Sequence, residues 1–120
     1  MVGERMMALL EAGDRIAVID RKLFRDDNTR LFVGVVEYYE NGVARASGFG
    51  YHINPYEVAG TERRAEERTR LVAVSSWDVV YVLPKQIDIG ELQVRRSPKS
   101  LVLTDGKSLM MDLSEWLYRA

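Results

Sequence analysis

The chain has no cysteine, one histidine and three prolines. The first absence excludes a disulfide framework, a thiolate metal site and a cysteine nucleophile, and it fits a reducing compartment, so the cytoplasm is the expected address. The lone histidine, His52, ends an apolar stretch with no partner set around it, and it reads as a structural or rim residue. No metal and no cofactor are expected. Long apolar runs are missing as well. Residues 1–12 mix Glu4, Arg5 and Glu11 with Met6, Met7, Leu9 and Leu10, unlike a signal peptide, and nothing approaches the roughly 20 apolar residues of a membrane helix. Charge of one sign is not in excess either. A net charge of −1 and a pI near 5.9 argue against generic binding to nucleic acid, which uses a basic excess, and leave room for a local site.

What is present fits one ordinary globular domain. The 120 residues are 47% hydrophobic and 29% charged, enough for a real core and too short for two independent ones. Residues 4–12, ERMMALLEA, place Met6, Met7, Leu9 and Leu10 on neighbouring helical positions, with Gly13 where a C-cap would end the segment. A short N-terminal helix is expected there. From Arg15 the character turns to β. Ile16 to Ile19, then Leu23 and Phe24, precede the turn-forming group Asp26, Asp27 and Asn28, and a second strand runs from Leu31 to Tyr39.

Glu40-Asn41-Gly42-Val43 supplies the Asn-Gly pair of a two-residue type I′ hairpin. With that turn, residues whose numbers sum to 83 oppose each other, so Tyr38 meets Arg45, Val36 meets Ser47, Val35 meets Gly48 and Gly34 meets Phe49. Glycines at 34, 48 and 50 then lie inside paired strands, where they imply a sharp bend or a close approach. Both faces of this hairpin are apolar, and a sheet of that kind needs cover on both sides.

Residues 54–68, with four acids and three arginines, read as a solvated loop or a short frayed helix. A strand resumes over residues 69–75, Ser75 to Asp78 reads as a tight turn, and Val79 to Leu83 is a central apolar strand stopped by Pro84. Beyond it the sequence suggests a helical turn near Ile87 to Leu92 and a hairpin, Leu101 to Thr104 with Lys107 to Met111, around Asp105-Gly106. A last helix is signalled by the capping-box spacing of Asp112 and Glu115.

The order helix, strand, glycine-bent strand, tight turn, strand, polar loop, strand, short turn, strand resembles the Sm-like small β-barrel family of Sm, LSm and Hfq proteins over residues 4–84. Phe32-Val33-Gly34-Val35-Val36, Asn41-Gly42 and Val79 to Leu83 carry the likeness. It implies a mainly β fold: an N-terminal helix, then a strongly bent five-stranded antiparallel Sm-like or SH3-like barrel, with a C-terminal hairpin and helix appended over 85–120 in one domain, 1–120. It also implies ring-type self-association. The family's RNA-contact motifs (its Asp-x-x-Met-Asn loop, Arg-Gly turn and Tyr-Lys-His turn) are absent, so the likeness bears on fold and assembly more than on RNA.

No catalytic constellation stands out. Ser47, Ser75 and Ser76 lack a base and an elbow motif, and the Gly48-Phe49-Gly50 stretch is no phosphate loop. The expected protein is therefore non-enzymatic and homo-oligomeric. Single-stranded RNA is one candidate partner, and another protein with no nucleic acid is the alternative. Either would be sought at Tyr39, Asn41, Trp77 and Asp78, the two turns that face the pore in Sm-like rings. Arg95, Arg96, Lys99 and Lys107 form a modest basic cluster whose ordinary role is solubility.

Overall fold

The computed structural model describes residues 9–21, 24, 29–53, 60–61, 66–74, 78–97 and 99–116. Nine strands follow in chain order: β1 (Arg15–Asp20), β2 (Thr29–Glu40), β3 (Val43–Ile53), β4 (Gly60–Thr61), β5 (Arg68–Ala73), β6 (Val79–Leu83), β7 (Gln93–Ser97), β8 (Ser100–Thr104) and β9 (Met110–Asp112). They form a five-stranded sheet in the order β5-β3-β2-β1-β6 and a four-stranded sheet in the order β4-β7-β8-β9. All pairings are antiparallel.

Several expectations are corrected, among them that Val79 to Leu83 is a central strand, since it lies at an edge of its sheet. Residues 9–13 form a bend and a turn instead of the end of a helix; residues 4–8 lie outside the described residues. Gly13 has φ +94 and its amide donates to Val36 O at 2.8 Å, while Glu11 N donates to the Asp14 carboxylate at 2.9 Å. The backbone groups a helix would have used are thus committed to a turn docked on β2. Among the described residues no closed barrel forms, because β5 and β6 remain the two edges of their sheet. The expected C-terminal helix is, within the described residues, the 3-10 turn Ser114–Trp116, where the Asp112 carboxylate accepts from Ser114 N and Oγ. A second 3-10 turn, Ile89–Glu91, is capped by Asp88.

The β2-β3 hairpin turns at Asn41 (φ +52) and Gly42 (φ +81), the two positive φ values of a type I′ turn. Next to the turn the register is the expected one, with Tyr38 opposite Arg45 and Glu40 opposite Val43. A bulge at Glu37 then slips it by one, so that Val36 meets Ala46 and Gly34 meets Gly48. The bulge aims the Glu37 carboxylate across the ladder, where it pairs with Arg45 Nε at 3.2 Å and accepts from Ser47 Oγ at 2.8 Å.

The five-stranded sheet curls. Strands β5 and β1 are three positions apart, about 14 Å in a flat sheet, yet Arg70 Nη2 on β5 lies 2.6 Å from Asp20 Oδ1 on β1. The face toward which the sheet curls buries Ile16, Val18, Phe32, Val36, Ala44, Ala46 and Val72 with Leu10. The opposite face of the same sheet contributes Ala17, Ile19, Leu31, Val33, Tyr51 and Ile53 to a larger core.

The second sheet covers that opposite face. Ile87, Leu92, Val94, Leu101, Leu103 and Leu113 complete the larger core, so residues 85–116 are half of its packing and not an appended tail. Hydrogen bonds stitch the layers together. Tyr51 OH donates to Leu92 O at 3.2 Å, Arg15 Nε to Ile87 O at 3.0 Å, Thr29 Oγ1 to Trp116 O at 2.8 Å, and Trp116 Nε1 to Tyr81 OH at 3.1 Å. Each satisfies a polar group that the packed layers would otherwise strip of water.

Candidate functional site

Of the four residues singled out from the sequence, Trp77 lies outside the described residues. Tyr39 packs half-buried against the smaller core, and Asn41 is the exposed first residue of the type I′ turn. Asp78 Oδ1 accepts from Arg21 N at 2.9 Å and Oδ2 stands 3.8 Å from Arg70. The hairpin turn is tied to the connection that leads to Asp78, since Val74 N donates to Gly42 O at 2.8 Å. Tyr39 and Asp78 themselves are committed to packing and to ion pairing.

The basic cluster expected in the tail is dispersed. On β7 successive side chains point to opposite faces, so Arg96 is buried while Arg95 is exposed and donates to Gln93 Oε1. Lys107 pairs with Glu91 at 3.0 Å, which raises the lysine above its ordinary pKa.

Two features that sequence reasoning missed are assembled by the tertiary structure. The first is the pair of sheet edges. β6 reads VVYVL, with no charged residue, and Val82 on it is 58% exposed. On β5 Leu71 is 68% exposed, in a cross-strand row with Arg45 and the exposed Tyr38. Soluble proteins usually blunt such edges with lysines, prolines or a covering segment.

The second is an arginine-lined cleft of about 180 Å³ on the curled side, formed by Asp20, Arg30, Gly50, His52, Arg68 and Arg70 with Leu31 and Tyr51. Register explains the gathering. Asp20 opposes Arg30, Arg30 opposes His52, and Arg68 opposes Gly48, so alternate positions of four strands point the same way. The Arg70 guanidinium lies 5.6 Å from the centre of the Phe32 ring and is clamped by Asp20. That ring in turn rests on Gly34, where a Cβ would be 2.8 Å from Phe32 Cε2. Arg68 lies over Gly50, where a Cβ would be 3.3 Å from its Nη2.

Several pKa displacements have local causes. Hydrogen bonding and attraction to Lys85 lower Glu11, and the same contact raises Lys85. The Tyr38 hydroxyl is raised because it donates to the Glu40 carboxylate. Asp105 is lowered to about 2 by the amides of Leu109 and Lys107, helped by Ser108. Among the described residues no group of three or more His, Cys, Asp or Glu converges as a metal site would need. Among the described residues no helix is long and apolar enough to cross a membrane. No family model, no curated protein and no solved structure matches the chain.

Proposed function

We propose that this protein acts by association and not by catalysis, as a self-assembling β module whose copies join through the open edges of the five-stranded sheet. The observation that carries this reading is β6, an uncharged apolar strand left at an edge with Val82 exposed. Unpaired strand edges recruit other strands because their N–H and C=O groups are already aligned for a ladder. The other edge, β5, offers the exposed Leu71 as an apolar counterpart. Joining β6 of one copy to β5 of the next is a head-to-tail contact, which closes into a ring when the rotation permits.

Strand order is a second support. The N-terminal helix apart, and with β4 set aside because it belongs to the second sheet, β1, β2, β3, β5 and β6 follow the succession of strand, glycine-bent strand, tight turn, strand, polar stretch, strand and final strand on which the Sm-like resemblance rests.

Light scattering coupled to gel filtration tests the proposal. The full chain should run as a uniform multiple of its 13.7 kDa mass, and Val82→Lys or Leu71→Lys should shift it toward the monomer without unfolding it. A wild-type monomer at tens of micromolar would refute self-association.

A further inference from the structure

The geometry points to a binding site for one phosphate-type oxyanion in the arginine cleft, held by Arg68 and Arg30 and oriented by Arg70. Three guanidinium groups face this cavity against one carboxylate, Asp20, in a chain whose net charge is −1. The local sign is therefore opposite to that of the whole molecule.

The three arginines are not equivalent. Arg70 is half of a partly buried pair with Asp20 and sits over Phe32, so its direction is set before any ligand arrives. Arg68 and Arg30 are exposed at the cleft, and among the described residues no carboxylate pairs with either. A guanidinium presents its donors as a planar fork that matches two oxygens at once, and phosphate has enough oxygens to meet more than one fork. Gly50 contributes by what it lacks, since the absence of a side chain leaves the backbone surface on which Arg68 lies.

Size narrows the ligand class. At about 180 Å³ the cleft is smaller than the roughly 300 Å³ at which small-molecule pockets begin. It suits a single anionic group, free or carried at the end of a mononucleotide, with the rest of the carrier outside. The site stands on one copy's own strands, so it does not depend on the association proposed above.

Calorimetric titration of the full chain with inorganic phosphate, and separately with adenosine monophosphate, tests the inference against a chloride control of equal ionic strength. Phosphate should bind saturably with a dissociation constant in the millimolar range or tighter. Arg68→Gln and Arg30→Gln should each weaken it roughly tenfold or more, as loss of a charged hydrogen bond does, with unchanged melting temperature in the absence of phosphate. Equal affinity for the two ligands identifies the free anion as the species recognised, and clearly tighter binding of the monophosphate identifies the carried one. Heat no larger than the chloride control, or binding that survives both substitutions, overturns the site.

Discussion

Gly34 and Gly48 face each other across β2 and β3 so closely that a Cβ on Gly48 would stand 1.8 Å from Val33 O and 2.5 Å from Gly34 Cα. Backbone here occupies the space that a side chain would need, and that approach accompanies the curl of the sheet. Gly48→Ala should therefore cost at least about 3 kcal/mol, the upper end of overpacking losses. Gly34→Ala should cost less, because part of what its Cβ meets is the Phe32 ring, although Ser47 O at 3.0 Å limits the relief. Gly42→Ala meets nothing within 4 Å but keeps a φ of +81, so about 1 kcal/mol of backbone strain is expected. Urea unfolding of the three variants should rank them in that order.

Arg70 and Asp20 bridge the curl of the sheet at 2.6 Å with about a quarter of each side chain exposed. A double-mutant cycle with Arg70→Met and Asp20→Asn should show a coupling of about 1 to 2 kcal/mol. The exposed pair Lys85–Glu11 should couple less and lose its coupling in high salt. Equal couplings for both pairs would mean that the first does not hold the curl.

The two sheets should unfold as one unit, since the larger core draws on both. Leu103→Ala in the second sheet should cost about 3 kcal/mol. Tyr51→Phe, which removes the hydroxyl from Leu92 O, should cost about 1 kcal/mol. Calorimetry should show one transition in each case, and a chain ended after Pro84 should not fold cooperatively.

Asp105 closes the β8-β9 connection by accepting from the amides of Lys107, Ser108 and Leu109, which lowers its pKa from 3.8 to about 2. A carboxyl lowered in the folded state adds stability above its unfolded pKa and surrenders it as pH falls through the folded one. Wild-type stability should thus decline between about pH 4 and pH 2, and Asp105→Asn should flatten that part of the acid titration. A parallel decline in wild type and variant would show that the loop is not held by the charge.

Some of this was legible along the chain and some was not. The Asn41-Gly42 turn and the strands around it follow from local chemistry, as does the need for glycine near positions 34 and 48. The identity of the facing pair was hidden because a bulge at Glu37 leaves no mark in the apolar alternation. The N-terminal segment carries helical spacing, but a helix of about nine residues is marginal without tertiary support, and docking of Gly13 on Val36 claims its end for a turn. Arg95, Arg96, Lys99 and Lys107 read as a basic cluster because they stand close together along the chain. The inward direction of Val94 and Arg96 shows only once β8 is beside β7.

By itself, then, the sequence determined a mainly β chain, its tightest turn and the amphipathic demand that both faces of the central hairpin be covered. Those are local properties, set by side-chain size, backbone freedom and the two-residue period of a strand. Only the tertiary structure decided what provides the cover, which strands were left at the edges and which charges share a cleft. Each of those depends on contacts between residues far apart in the chain: Arg70 with Asp20 across four strands, Tyr51 with Leu92 between layers, and Gly34 with Gly48 at the point where the backbones meet.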